Sequence, residues 1–303
     1  MNHKAATAKD YQERINKVLN YINNHLGEDL DLKRLAEISN FSSFHFHRIM
    51  RAHLGEALGA YIVRIRLEIA ARLLEYSQEA VNDIAWKIGY ETQAAFSTAF
   101  KNRFGSSPLE FRNSTVKNNI FNHFINSENT MKMELKPKIK EISPKKVIYI
   151  QVTEAYGGEK TGVAWGKLWA FVKEKKLYSF GMESIGISHD DPSITNAEKC
   201  RYDACVTIKK EVKPEGEIGV KEVEGGKYAI FKHVGPYNNL GEAYNQIYRM
   251  WLPASGYELR DVPCFDKYMN NPEKTKAEKL QTYICIPVKE KVGSRKTEDG
   301  SKK

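Results

Sequence analysis

The stretch DLKRLAEISNFSSFHFHRIMRAHLG at residues 31–55 recurs in altered form as VNDIAWKIGYETQAAFSTAFKNRFG at residues 81–105. Gly55 matches Gly105 at an offset of 50 residues. Each copy combines a short amphipathic segment, a tight turn and a second amphipathic segment, which is typical of a helix-turn-helix. Because this motif presents its second helix to the major groove of DNA, the duplication predicts a helical unit that reads a duplex twice.

The second helix of the first copy has two chemically different faces. At about 100° per residue, Phe46 and Met50 share one face, which we expect to be core. The opposite face carries an aromatic ring, an imidazole and two cations, at Phe44, His47, Arg48 and Arg51. Arg48 can form a bidentate pair with guanine, and His47 can donate to a base edge or a phosphate. We assign this face, with Ser43, to DNA; the alternative is a solvated face on an ordinary helix pair.

The second copy predicts a weaker reading helix. Its core face carries Phe96 and Phe100, whereas its outer face carries short side chains and one lysine. Gln93 could pair with adenine, and Lys101 can anchor a phosphate. The residues assigned to DNA in this copy are Thr92, Gln93, Thr98 and Lys101. We therefore expect the first helix to supply most base discrimination, and the second to supply register and affinity.

Residues 12–112 resemble the DNA-binding domain of the AraC/XylS family, including the pattern IAWKIGYETQAAFSTAFKNRFGSSPLEFR at 84–112. The resemblance implies an all-α N-terminal domain, 1–112, in which a long helix at about 58–76 joins two helix-turn-helix units. It also implies binding to double-stranded DNA in two successive major-groove turns, and activation through contact with RNA polymerase. Thr98 stands where many members of the family carry arginine.

The second half of the chain changes its periodicity. From residue 131 onward, runs rich in Ile, Val, Tyr and Phe predict strands, interrupted by helical stretches at about 161–175 and 239–252. Cys205 matches Cys285 at an offset of 80 residues. We therefore expect an α+β C-terminal domain, 131–289, of two strand-helix-strand-strand repeats with a small-molecule cleft between them. Residues 113–130 are a predicted linker, and 290–303 a predicted disordered charged tail.

The segment GKYAIFKHVGPYNNLGEAYNQIYRMWLPASGYELRDVPCFDKYMNNP at 226–272 resembles the gyrase-inhibitor-like effector-binding domain of multidrug-sensing regulators. The resemblance spans about 131–289 and implies an aromatic cleft with a carboxylate that meets cationic or amphipathic ligands. The family usually carries glutamate where this chain has Asp266. Core packing is the alternative for the tryptophans, and exposure at a strand end is the alternative for Asp266. The candidate effector residues are Trp165, Trp169, Tyr237, Phe265, Asp266, Tyr268 and Tyr283.

The composition limits the classes of protein to consider. The net charge of the 303 residues is +9, but residues 1–112 carry only +2, from 15 basic and 13 acidic side chains. A case for DNA therefore depends on where the charges lie. The chain lacks a long apolar run, an apolar leader and a CxxC pair, so we expect a cytoplasmic protein, nucleoid-associated when bound to DNA, without membrane contact, metal or cofactor.

These observations predict a sequence-specific transcriptional regulator, an activator by resemblance, whose C-terminal domain binds a small effector and which is not an enzyme. One alternative is a hydrolase-like C-terminal domain that acts on electrophilic compounds, with Asp266 and Tyr268 as acid–base partners. Another is an architectural protein that binds DNA without sequence preference. A specificity ratio near one in competition binding would favour the latter.

Overall fold

The structure is a computed structural model that describes residues 3–41, 43–114, 135–192 and 194–290. For residues 3–9, 43 and 44 it describes the backbone alone. The predicted linker from residue 115 onward and the predicted tail from residue 291 lie outside the described residues. The predicted division into a helical N-terminal region and an antiparallel-sheet C-terminal region is confirmed.

Helices build the N-terminal region, with two helix pairs on either side of a longer helix. Their bounds are α1(His3–Asn24), α2(Leu32–Ser39), α3(Ser43–Leu54), α4(Leu58–Tyr76), α5(Val81–Lys87) and α6(Gln93–Phe104). The Asp31 side chain accepts hydrogen bonds from the first turn of α2, and the Thr92 hydroxyl accepts one from the Ala95 N–H of α6. These side chains satisfy N–H groups that would otherwise lack partners, which favours helix initiation at both points.

Two separate apolar cores pack on opposite ends of α4. The first core joins Phe46 and Met50 of α3 to Leu58 and Ile65 of α4, together with α1 and α2. The second core joins the C-terminal half of α4 to α5 and α6, with residues that include Leu67, Ala71, Leu74, Ile84, Phe96 and Phe100. Helices α3 and α6 therefore both pack on one continuous helix, α4.

One set of strands is formed within residues 145–223. It consists of β2(Lys145–Thr153), β3(Ser184–Ser188), β4(Arg201–Thr207) and β5(Gly219–Val223), in the order β3-β4-β2-β5. All pairs are antiparallel, with Ile150 opposite Ala204. Helix α7(Glu159–Glu174) packs its Ala164 and Leu168 against the face that carries Ile150 and Ala204. Alternation along the strands leaves Asp203 on the other face.

A second set of strands is formed by residues 135–144 and 224–290. Its members are β1(Lys138–Ile142), β6(Gly226–Val234), β7(Tyr257–Leu259), β8(Phe265–Tyr268) and β9(Gln281–Glu290), with β9 pairing β6, β7 and β8. Helix α8(Leu240–Gln246) continues into a π-helical turn, Ile247–Trp251. This helix covers the sheet face that carries Phe231, Ile284 and Ile286.

The structure differs from the sequence prediction in several elements. The short strands β1, β5 and β7 were not predicted, because exposed or very short strands carry little apolar alternation. The helical stretch predicted at 239–252 is interrupted by the π-helical turn. By its contacts the chain forms two compact units, residues 1–130 with 145–223, and residues 131–144 with 224–303. None of the helices described is both long and apolar enough to pass through a bilayer.

Candidate functional site

Helix α3 has one buried face and one exposed face. Phe46 and Met50 are fully buried in the first core, whereas His47, Arg48 and Arg51 are exposed. The side chains of Ser43 and Phe44, which were also assigned to DNA, lie outside the part of the chain that the structure describes. The imidazole and the two guanidinium groups therefore lie on the solvent side of the helix, where the sequence predicted them.

Helix α6 also has one buried and one exposed face, but its exposed face carries shorter side chains and fewer charges than that of α3. Phe96 and Phe100 are fully buried, and the predicted outer residues are exposed: Gln93, Ala94, Thr98 and Lys101. Thr92 is the N-cap of this helix, so its hydroxyl is already engaged by the Ala95 N–H. The Thr98 hydroxyl donates to the Ala94 carbonyl at 3.0 Å. A hydroxyl that bonds its own helix is less free to read a base.

Asp266 is a buried carboxylate in the second strand set. It is 3% exposed, and the Tyr244 hydroxyl of α8 donates to its Oδ1 at 2.9 Å. Burial raises the pKa of Asp266 to about 7, although the hydrogen bond from Tyr244 opposes that shift. The carboxyl therefore titrates near neutral pH. Tyr244 was not among the predicted site residues, because its place opposite Asp266 comes from the packing of α8 on the sheet.

The predicted effector residues of this unit lie on two faces of the sheet. Successive residues of a strand point to opposite faces, so Asp266 and Tyr268 face α8 whereas Phe265 faces away from it. Tyr237 packs edge-on against Tyr268, with ring centroids 5.1 Å apart. Ile284 points to the face that α8 covers, so the preceding residue, Tyr283, points to the opposite face, together with Phe265. The structure thus places Tyr268 on the same sheet face as Asp266, with Tyr237 packed against Tyr268.

Two buried polar atoms lie in the row next to Asp266. His233 of β6 and Thr282 of β9 are direct partners in the strand register, and Thr282 is also the partner of Tyr268. His233 Nε2 and Thr282 Oγ1 have no hydrogen-bond partner among the residues described. Burial lowers the pKa of His233, so its ring is neutral at neutral pH. Burial of polar atoms without hydrogen bonds costs free energy, unless a ligand or a water molecule supplies the missing hydrogen bonds.

The two predicted tryptophans belong to α7 in the other unit. Trp165 and Trp169 are partly buried and pack against the core between α7 and its sheet. Trp169 stacks on Tyr178, with ring centroids 6.3 Å apart and planes 17° apart. Both tryptophans therefore contact the core of their own unit, and their assignment to the effector stays a prediction.

A second buried carboxylate, Asp203, was missed by the sequence prediction. Its Oδ2 lies 2.6 Å from His189 Nε2 and also accepts from the Lys221 ammonium, while Gln151 donates to its Oδ1 at 2.8 Å. Burial opposes ionisation, but His189 and Lys221 outweigh it and hold the pKa of Asp203 well below its ordinary value. An acid inside the apolar run RYDACVTI was the available signal.

Comparison with known families finds two matches along the chain. The model described as the GyrI-like small molecule binding domain matches residues 135–289, which is more than half of the chain. The model described as a helix-turn-helix domain matches residues 35–114. The two matches cover the strand-rich region and the duplicated motif, respectively.

Several known proteins are similar over parts of the chain. The probable transcriptional regulator YgiV of Escherichia coli strain K12 is 33% identical over 108 residues, which cover 35% of this chain and 67% of YgiV. The regulatory protein SoxS of Salmonella typhimurium is 30% identical over 34% of this chain and 95% of SoxS. A cryo-EM structure of the EcmrR–DNA complex is 16% identical, with a TM-score of 0.47 over 86% of this chain and 99% of that chain.

Proposed function

This chain belongs to the family of GyrI-like small-molecule binding domains and carries an AraC-type helix-turn-helix region, and from that premise we propose that it regulates transcription by binding specific DNA sequences under the control of a small molecule. The observation that carries the DNA-binding part is the exposed face of α3, where His47, Arg48 and Arg51 stand opposite a fully buried core face. This arrangement recurs on α6, so one chain offers two reading helices.

We propose that α3 discriminates bases and that α6 contributes register and affinity. Arg48 can donate two hydrogen bonds to guanine, whereas the Thr98 hydroxyl bonds its own helix. Lys101 is exposed and adds a positive charge near the phosphates. The proposed DNA residues remain Ser43, Phe44, His47, Arg48, Arg51, Thr92, Gln93, Thr98 and Lys101. The double-stranded target then spans two successive major-groove turns.

The proposed effector is amphipathic or cationic. Asp266 supplies a carboxylate that is ionised for part of the time at neutral pH, and Tyr237 and Tyr268 supply rings in the same row. A cation is attracted both by the carboxylate and by aromatic faces. His233 Nε2 and Thr282 Oγ1 offer acceptors for a donor group of the effector. The assignments of Trp165, Trp169, Phe265 and Tyr283 to the effector stay predictions from the sequence.

The finer organisation is proposed on the same grounds. Residues 1–112 would form the DNA-binding domain, with α4 joining its two helix-turn-helix units, and residues 131–289 the effector-binding domain of two repeats. The order β2-α7-β3-β4 matches the order β6-α8-β8-β9 when the three-residue strand β7 is left aside, and this likeness supports the repeat. Activation through RNA polymerase and a cytoplasmic location follow from the family resemblance. We propose no catalytic role for the chain, because the relatives that it matches are named transcriptional regulators.

Selection of bound duplexes from a random pool tests the DNA-binding part. A specific regulator enriches one sequence and binds it at least about a thousandfold more tightly than random duplex at physiological salt. The Arg48→Ala variant is selected in parallel and should lose preference at particular bases. Equal affinity for all duplexes would identify an architectural DNA-binding protein instead.

A further inference from the structure

Arg201, the first residue of β4, joins the strand set of residues 145–223 to the N-terminal helices. Arg201 is 4% exposed and forms a bidentate pair with Asp190, through contacts of 2.9 Å to Oδ2 and 2.7 Å to Oδ1. Its remaining terminal nitrogen donates to Asn23 Oδ1 of α1 at 2.6 Å and approaches the Tyr61 hydroxyl of α4 at 3.5 Å. Asp190 thus neutralises the charge of the buried guanidinium, whose remaining N–H groups face two neutral acceptors, the side chains of Asn23 and Tyr61.

A row of alternating charges begins two residues before Arg201. The Lys199 ammonium lies 3.0 Å from Glu56, and Glu56 accepts from Arg64 at 2.8 Å. Arg64 in turn lies 3.1 Å from Glu68, whose other oxygen is 3.0 Å from Arg103 of α6. Arg64 and Glu68 are buried, so these contacts are screened little by solvent. Each member of the row has a partner of opposite charge on both sides, except at its two ends.

Further contacts lie along the same surface. Glu13 of α1 accepts from the Gly216 N–H at 2.8 Å, and Asn16 donates to the Glu217 carbonyl at 3.3 Å. At the end of α4, the Tyr76 hydroxyl lies 3.3 Å from Asp191. Residues of α1, of the α3–α4 turn and of α4 therefore all meet the loops around β4. We call this set of contacts the docking surface.

Part of the docking surface lies on α4, the helix against which both α3 and α6 pack. The first core joins α3 to the N-terminal half of α4, and the second core joins α6 to its C-terminal half. Packed cores transmit displacement because they deform little. A body that holds α4 near Tyr61 and near Tyr76 therefore restrains the placement of α3 relative to α6. His47, Arg48 and Arg51 take part neither in the Arg201 contacts nor in the charge row, so these contacts do not cover the exposed face of α3.

We propose that the docking surface couples the sheet of residues 145–223 to DNA binding, by holding α4 in the arrangement in which both reading helices engage one duplex. The proposal rests on the proposed function for its DNA-binding part. Coupling of this kind is reciprocal, so DNA must tighten the docking surface to the same extent that docking favours DNA. A change at Asn23 or Lys199 then alters DNA binding without removing a DNA contact.

Hydrogen exchange of the full chain, with and without the duplex enriched by the wild type, tests this coupling. In the wild type, the duplex should slow amide exchange in peptides that cover 195–207 by about threefold or more. Asn23→Ala and Lys199→Glu should each abolish that slowing and weaken specific DNA binding by about fivefold, the effect of losing one buried hydrogen bond or ion pair. Asn23→Asp places a carboxylate against Arg201 and should preserve the slowing.

Matched controls separate coupling from general damage. Asn24→Ala changes the exposed neighbour of Asn23, and Lys213→Glu makes the same charge change as Lys199→Glu at another exposed lysine; both should behave as the wild type. If Asn23→Ala fails to fold, Lys199→Glu tests the coupling instead, because the ion pair of Lys199 with Glu56 is partly exposed and its loss disturbs folding less. Wild-type affinity and slowing in both test variants would overturn the proposal, as would a duplex that binds without slowing exchange in 195–207.

A failure of the proposed function gives a different result. If no duplex is enriched, DNA binding itself fails, and docking is then tested without DNA. In that case Asn23→Ala should speed exchange in peptides from both 58–76 and 195–207 by about threefold or more, while Asn24→Ala should not. Unchanged exchange in both peptides would show that the docking surface does not hold α4.

Discussion

The Tyr244 hydroxyl donates to Asp266 Oδ1 over 2.9 Å, and this hydrogen bond favours the ionised form of a carboxyl whose burial favours the neutral form. Because burial outweighs the hydrogen bond, the pKa of Asp266 rises from 3.8 to about 7. The charge of the proposed effector site therefore changes near neutral pH.

We predict that the free energy of unfolding falls as the pH rises, because of Asp266. The folded-state pKa lies above the unfolded value, so the stabilising contribution is fully present below pH 3.8 and is lost as pH rises through about 7. The free energy of unfolding of the wild type, relative to Asp266→Asn, should fall by roughly 3 kcal/mol between about pH 5 and pH 8. Urea unfolding of both proteins across this range measures the difference. Parallel curves would contradict the raised pKa.

The Tyr244→Phe variant tests the hydrogen bond separately. Loss of the donor removes the contact that favours the carboxylate, so the pH at which stability is lost should move upward. The same urea series locates that midpoint. A midpoint at or below that of the wild type would show that Tyr244 does not interact with the ionised form of Asp266.

We predict that the two reading helices differ in base discrimination. Arg48→Ala should cost about 1–3 kcal/mol of discrimination at one or two base pairs, since a bidentate contact to guanine is lost. Thr98→Ala should leave the base preferences unchanged, because the hydroxyl already bonds the Ala94 carbonyl. Binding is measured against a set of duplexes that carry single base changes. Equal effects of the two substitutions would refute this division of roles.

Lys101→Ala should weaken binding uniformly across sequences. A lysine that neutralises one phosphate contributes through the release of counterions, so its loss should reduce the slope of log K against log salt by about 1. Fluorescence anisotropy at several salt concentrations gives this slope for the enriched duplex and for a random one. A loss confined to the enriched duplex would instead make Lys101 a base-reading residue.

Gly89→Ala should destabilise the second helix-turn-helix. Gly89 has φ 81°, and an added Cβ would lie 2.7 Å from the Arg66 guanidinium, which itself donates to the Leu26 and Glu28 carbonyls. We expect a loss of about 1–3 kcal/mol. Gly59→Ala is the matched control, because Gly59 lies inside α4 with open space around it; it should stabilise by about 0.5–1 kcal/mol. Thermal unfolding compares the two variants with the wild type.

Local patterns were sufficient to predict much of the architecture. The spacing of Phe46 and Met50, and of Phe96 and Phe100, indicated the buried faces of α3 and α6, and all four side chains are fully buried. Alternating apolar residues predicted β2 and β6 at the positions where the structure has them. Such signals are strong because the period of a helix or a strand is written into neighbouring residues. The exposed strand β1 has no such signal.

The sequence by itself determined the helical N-terminal region, the antiparallel-sheet region and the family of each, because periodicity and motif spacing are local properties. Only the tertiary structure decided which distant polar groups meet. Tyr244 reaches Asp266 across 22 positions, and Arg201 reaches Asn23 across 178. No local pattern encodes such pairs, since their free energy depends on burial and distance, and both arise only when separate elements pack together.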